Sequence, residues 1–538
     1  MNKQEYLTVN KRPKCPRCGR QMMRHGYTPG GRQRWLCARR DGARGTDLCY
    51  STTDPAPEGV RDQGGRVTRR KAPIFKRSVG KETRRFIVTT AQNATPVHKG
   101  FFASLERMAK TNGAELLVIP IRYKNPTSRW TNSQANEEVW APEVTPYLCN
   151  TRIRLNRNLV VLGDVKTQPT ASSPLTGFEG ITHGESGILG HTKLQLRTIA
   201  TPQHRLPKIL TTTGAVTIPN YTDSKAGKLG EFHHTLGAAL IELDGPRFHL
   251  RQLNAEKDGS FHDLDKRYTP DKVETGLRLA GLAMGDTHVD FIDKRVEAAT
   301  FGGGGIVEQL RPRTLIWNDL LDGYSVNPHH AGNPFILFAK TQAGKVDVRA
   351  EIERAAEFVR QRTSAESTSV IVPSNHNDFV ARWVLATDWR QAPVNAKFYL
   401  ETALAMLSSA RITAQGAEYS DPAGYWLKRL LVDLDNVVVL ERGESHLVAG
   451  IENGLHGDVG PSGTRGSLRN LRRIGVRVNI GHSHAPGIDE GGYQAGTSTA
   501  LTLEYSRGSP SAWLNTHIAT YPNGKRSLIN IIDGRWKA

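Results

Sequence analysis

Long hydrophobic runs are missing from this chain. Its most apolar stretches, such as NLVVLG and LGAALIEL, are far shorter than the roughly 20 residues a membrane-spanning helix requires. The opening MNKQEYLTVNKRPKCPRCG holds no apolar core of the kind that directs secretion, so a cytoplasmic protein without a membrane partner is expected. Acidic residues are scarce at the front: residues 1–85 carry 7 Asp plus Glu against 22 Lys plus Arg, which places +15 of the total +20 there. A basic head on a nearly balanced body favours a polyanionic partner such as DNA. Cysteine is scarce as well, five in 538 residues, which excludes a disulfide framework. Four of the five (Cys15, Cys18, Cys37, Cys49) nevertheless fall within 35 residues, with Cys149 alone.

That clustering points to metal. CPRC sets two thiolates at a spacing that can share one tetrahedral zinc, and Cys37 and Cys49 could complete a four-sulfur shell, with His25 as an alternative ligand. A region this small buries little core, so a structural Zn²⁺ would supply its folding energy. The stretch GRQMMRHGYTPGGRQRWLC resembles the zinc ribbons at the front of transposases and other DNA-binding proteins; eleven residues, rather than two, separate Cys37 from Cys49. A ribbon over 1–55 is expected, then a Gly/Pro/Arg-rich linker or arm over 56–85 able to lie along phosphates. Arg32, Arg34, Arg69, Arg70, Lys71, Lys76 and Arg77 are its candidate DNA contacts.

Residues 86–280 read as an α/β accessory domain. FIVTT, VHKGFFASLERMAKTNG and AELLVIPI give strand, amphipathic helix and strand, with Phe101, Leu105 and Met108 on the apolar face and Asn112-Gly113 as the stop. His183, Glu185, His191, His233 and His234 show no ligand spacing and read as ordinary loop residues.

From residue 281 the texture changes. LAMGDTHVDFID, RTLIWNDLLDGYS, STSVIVPSNHNDF, LVAGIENGLHGD and GVRVNIGHSHAPG are five β-like runs, each ending in residues able to bind metal. In Asp286-Thr287-His288 the spacing of two turns a carboxylate and an imidazole to one side. Amphipathic VDVRAEIERAAEFVRQRT and the start of a helix in DFVARWVLATDW alternate with these runs, and the stretch from TALTLEYSRG to INIIDG reads mainly β. The blocks GDTH, NDLLD, SNHND, GLHGD and GHSH, in this order, resemble the calcineurin-like metallophosphoesterases over about residues 280–538. Asn318 and Ser374 stand where that pattern has glycine, and Asn377, followed by Asp378, where it has an acidic residue.

The resemblance implies an α/β fold: a layered β-sandwich core flanked by helices over 281–538, preceded by the α/β segment and the small ribbon. It also implies two divalent metal ions. Asp286, His288, Asp319 and His484 would hold one, and Asp319, Asn375, His456 and His482 the other, with Asp319 as the bridge. Mixed carboxylate, amide and imidazole ligands suit Mn²⁺ first, with Mg²⁺, Fe and Zn²⁺ as alternatives. His376 matches the catalytic histidine of the pattern; Asp322 is a candidate for orienting a ligand, and His329 and His330 for meeting phosphate. Joined to the basic head, the core resembles the nucleases of the Mre-eleven class, and the whole chain the pre-early host-DNA-degrading proteins of T5-type bacteriophages. A DNase acting in the host bacterial cytoplasm is therefore expected. A phosphatase on phosphoproteins or nucleotides, or a DNA-recruitment factor with a regulatory metal core, is the alternative. Self-association is a further expectation, resting on the size of the middle segment alone.

Overall fold

The computed structural model describes residues 14–15, 19–27, 33–38, 48–53, 74–77, 80, 82–121 and 139–538. The chain divides into two compact units, 1–73 and 74–538. In the first, Met23–Tyr27, Gln33–Ala38 and Leu48–Thr53 form an antiparallel three-stranded sheet. Cys15, Met22, Trp35 and Cys37 are buried together as its small core. The Cys15 N–H donates to Arg20 O at 2.7 Å and Gly19 N–H donates back to Cys15 O at 2.8 Å, a tight turn that needs the positive φ of Gly19. Cys18 lies outside the described residues, as do the side chains of His25 and Cys49.

The second unit is mixed α/β with several sheets. Its first strand, Arg85–Gln92, runs parallel to Glu115–Ile121 through the helix Lys99–Asn112. That helix begins where the His98 side chain accepts from Phe101 N–H and ends at left-handed Gly113, and it buries Phe101, Leu105 and Met108. The strand Gly237–Asp244 pairs antiparallel with Arg85–Gln92 and with Arg247–Asn254, completing a four-stranded sheet.

A six-stranded sheet runs in the order Val437–Val439, Thr368–Ile371, Thr314–Trp317, Gly281–Ala283, Thr516–Thr520, Arg526–Asn530, with the first four parallel. Its side chains alternate strictly between two cores, as the period of two demands. Leu282, Leu315, Trp317, Ile371, Ala519 and Ile529 face a core with residues of the helices Val348–Arg362, Asp378–Ala386 and Pro422–Leu430. Ala283, Ile316, Val370, Ile518 and Leu528 face the other core, shared with residues of the other two large sheets. The helix Val348–Arg362 is capped by the Asp347 side chain on Ala350 N–H.

The ten-stranded sheet draws on the middle and the last parts of the chain. Gly487–Asp489 pairs antiparallel with Gln195–Ile199, so strands from before residue 280 and strands carrying the last two blocks lie in one sheet. Residues 86–280 and 281–538 thus contribute strands to one sheet within the compact unit 74–538. The reason is pairing: an edge that would stand open at Gly487–Asp489 is closed by the earlier segment. The stretch before the last two strands departs from expectation. Around SRGSPS the chain makes a short 3₁₀ turn at Glu504–Ser506 and loops, and regular strand begins only at Thr516.

Candidate metal centre

Each block sits where a strand stops, on one of two sheets. GDTH, NDLLD and SNHND follow Gly281–Ala283, Thr314–Trp317 and Thr368–Ile371 of the six-stranded sheet; GLHGD and GHSH follow Ile451–Glu452 and Val478–Ile480 of the ten-stranded sheet. The ends of both sheets converge on one point. Asp286, His288, Asp319, His456 and His484 are all buried there, between 0 and 4% exposed. His288, Asp319, His482 and His484 hold positive φ angles of 41°, 41°, 76° and 58°. Backbone strain of this kind in non-glycine residues persists where surrounding structure enforces it, commonly at functional sites.

Asp319 is central. Its Oδ2 is 3.0 Å from His456 Nε2 and 3.6 Å from His288 Nε2. On one side His288 Nε2 lies 3.2 Å from His484 Nε2, which in turn lies 3.3 Å from Asp286 Oδ2. On the other side the His456 ring stands 5.3 Å from that of His482, whose Nδ1 lies 3.1 Å from Asn375 Oδ1. Two groups here could hold a metal ion: His288, Asp319 and His376, and Asp286, Asp319 and His456. His376 thus lies within ligand range, where the sequence pattern gave it a catalytic place only.

The residues fit a cation by their unmet bonding. Asp286 Oδ1 and Oδ2, Asp319 Oδ1, His456 Nδ1 and His484 Nδ1 are buried and make no aligned hydrogen bond. Burying polar atoms without partners costs on the order of 1–3 kcal/mol each, so such a group marks a place built for a ligand. Burial and the charge of Asp319 push Asp286 up to about 7. Burial alone would raise Asp319 too, but the imidazoles of His456, His376 and His288 hold it well below the usual carboxylate range. His288 and His456 move the opposite way from what burial favours, up to about 9, because of Asp322 and Asp319 for the first and Asp319 for the second. Burial, followed by the charge of His288, pushes His484 well down. Asp286, His288 and His456 are thus pushed towards holding a proton, and Asp319 and His484 towards losing one.

Asn318, Ser374 and Asn377, which differ from the resembled pattern, each make a supporting contact. Asn318 Nδ2 donates to Met284 O at 3.2 Å, tying the second block to the first. Ser374 Oγ accepts from His376 N–H at 3.2 Å, and Asn377 Nδ2 donates to Asp421 Oδ2 at 2.9 Å. Asp322 does double service: its carboxylate lies 3.0 Å from His288 Nδ1, and its carbonyl oxygen accepts from His376 Nδ1. Gly481 has no room for a side chain, since a Cβ there would stand 2.1 Å from Asp286 Oδ1. Sequence reasoning missed His517. Its Nδ1 accepts from Gly285 N–H at 2.9 Å and its Nε2 meets Thr300 Oγ1 at 2.9 Å, so a neutral imidazole steadies the first block. A lone histidine in an apolar strand offered no signal of that.

A cleft of about 1340 Å³ opens over the centre, reached by Asn375, His376, His482 and His484 from below, with His329 and His330 in its wall. Trp513, also missed, lies in the wall with its ring 4.3 Å from that of His484. Among the other expected site residues, Arg77 lies 3.9 Å from Glu115 and above the Tyr147 ring, in place of a free arm. Its placement follows from the unit boundary, since residues from 74 onward belong to the second unit. Lys76 is exposed; Arg32, Arg69, Arg70, Lys71 and the side chain of Arg34 lie outside the described residues. His191, His234 and Glu185 spend their polar atoms on local partners such as Gln168 O, Tyr221 and Arg154.

Comparison with known proteins identifies the lineage. The chain is 31% identical over 474 residues to Protein A1 of Escherichia phage T5, spanning 85% of this chain and 84% of that protein. The chain belongs to the Protein A1 family. No protein-family model matches it. Among solved structures, Vps29 of Chaetomium thermophilum aligns over 37% of this Protein A1 family member and 99% of its own chain, at 9% identity and a TM-score of 0.21. No helix among the described residues is long and apolar enough to cross a membrane.

Proposed function

We propose that this protein is a two-metal phosphodiesterase of the metallophosphoesterase type, with a layered sandwich core, that cleaves DNA. The observation that carries the reading is the carboxylate of Asp319, buried between His456 at 3.0 Å and His288 at 3.6 Å, with further donors behind each. Asp286, His288, Asp319 and His484 would hold one divalent ion, and Asp319, Asn375, His456 and His482 the second, Mn²⁺ before Mg²⁺, Fe or Zn²⁺. When bound, the pair would neutralise the phosphodiester and lower the pKa of the attacking water. The chain's own residues do the rest. His376, whose Nδ1–H donates to the Asp322 carbonyl, turns Nε2 towards a phosphoryl oxygen and, as the imidazolium, would hand its Nε2 proton to the leaving oxygen and be left neutral. Asp322 keeps His288 and His376 in register with each other.

DNA is the favoured substrate because +15 of the charge lies in residues 1–85, and counterion release rewards a basic segment only on a polyanion. Cys15, Cys18, Cys37 and Cys49 would bind a structural Zn²⁺ that shapes this segment. With a phage relative at 31% identity, the role that fits is degradation of host DNA in the bacterial cytoplasm during infection. The test is incubation of the purified protein with linear and circular duplex DNA, in Mn²⁺ or in EDTA, beside Asp319→Ala. Cleavage in Mn²⁺ alone, abolished in the variant, supports the reading. Intact DNA with every metal, alongside turnover of a phosphoprotein or a nucleotide, overturns it in favour of a phosphatase; DNA binding without any turnover favours a recruitment factor.

A further inference from the structure

We propose that Arg465 and Arg469 form a phosphate clamp on the rim of the metal cleft, gripping the DNA backbone beside the phosphate being cleaved; this rests on the phosphodiesterase reading above. Residues 459–488, from the end of the fourth block through the fifth, contain five arginines and no Asp or Glu. Only Arg465 and Arg469 of the five line the cleft. Arg472 is buried against Asp489, and Arg473 and Arg477 are exposed beyond it.

The loop that carries Arg465 is fastened to the metal centre. Gly466 N–H donates to Asp458 O at 2.8 Å, Gly460 N–H donates to Thr464 O at 2.7 Å, and Val459 bridges Arg465 across the turn. Asn470 Nδ2 donates to Arg465 O at 2.8 Å from the following helical turn, so both sides of the arginine's backbone are pinned. Gly466 sits so close that a Cβ would stand 2.0 Å from the carbonyl of Gly457, the neighbour of His456. Arg469 follows four residues later, on the turn Leu468–Leu471.

Nearby acids are already engaged. Asp458 accepts from Arg442 Nη1 at 2.9 Å, and Glu504, the acidic residue in the cleft wall, from the Tyr324 hydroxyl at 3.4 Å. Among the described residues neither Arg465 nor Arg469 makes an ion pair, and both are exposed. Two unpaired guanidiniums on the wall of the cleft, one of them carried on a pinned backbone, match a chain of phosphodiesters, since planar guanidinium forks pair with phosphate oxygens.

The experiment measures KM for linear duplex DNA and turnover of bis(p-nitrophenyl) phosphate against salt, for the full chain and for Arg465→Ala/Arg469→Ala and Arg465→Lys/Arg469→Lys. Two lost phosphate contacts should lower the slope of log KM against log salt by about 2, so the loss of affinity between about 50 and 200 mM salt shrinks by about tenfold. The lysine variant should keep the slope, and the alanine variant should lose far more DNA turnover than small-diester turnover. An alanine variant with the unaltered slope and KM overturns the clamp, as do equal losses on both substrates, which would mark a structural role. Unaltered protein that hydrolyses the small diester and no DNA overturns the substrate class and the clamp together.

Discussion

In the N-terminal unit Cys15 and Cys37 share a core of four buried residues on a three-stranded sheet, whereas in the body His288 and His484 approach to 3.2 Å across 196 positions of chain. Both regions collect residue types able to bind metal, and they do so by different physics. Among the described residues the small unit buries only those four side chains, so a metal there would be a part of its core. The body brings its candidate ligands together with two extensive hydrophobic cores and paired strands, an arrangement that needs no ion to hold it. Chelation should therefore separate them: EDTA abolishes turnover while the body stays folded, and unfolds the N-terminal unit. Hydrogen exchange read unit by unit checks this, and loss of body protection in EDTA would erase the contrast.

The largest effect expected is from Asp319→Ala, which removes the ligand common to both groups and should reduce DNA turnover by at least about 10³-fold with bound divalent ion lost in parallel. His376→Ala should reduce turnover by about 10²–10⁴-fold while metal content stays near normal, which separates its chemical role from ligation. Gly481→Ala should cost about 10²-fold by displacing Asp286, since a shift near 1 Å is enough for that loss. Cys37→Ser should scarcely change hydrolysis of a small diester but should remove one zinc per chain by elemental analysis and raise KM for DNA. The gentlest effect is on acid stability. Burial pushes His191, His234 and His517 down to about 4, so each stays neutral in the fold and takes up a proton more readily once unfolded. Stability is full above about pH 6.5 and falls as pH drops towards 4, by about 1.4 kcal/mol per pH unit per histidine. His234→Gln should shallow that decline by one proton in a melting series on the body.

How far the sequence could be read differs from region to region. The helix Lys99–Asn112 was legible because its face and its stop are local: Phe101, Leu105, Met108 and Gly113 lie on adjacent turns. The block residues were legible because each closes an apolar run. The partner of each block was not, and nor was the merging of 86–280 with the rest, because strand pairing such as Ile488 with Leu196 leaves no trace in spacing. The Arg465–Arg469 rim did have a signal, a thirty-residue stretch with no acid, masked by the stronger charge at the front. Trp513 and His517 had none, since a single aromatic or imidazole in a strand or loop is compatible with any core.

By itself the sequence determined which chemical groups are present and the order in which strands deliver them, because side-chain identity and short-range periodicity are local properties. Only the tertiary structure decided that Asp286, Asp319 and His376 come from one sheet and His456, His482 and His484 from another, and that the two sheets end at the same point. That meeting depends on hydrophobic cores shared between layers, a non-local free energy summed over the whole body, and it is what places His456 3.0 Å from Asp319.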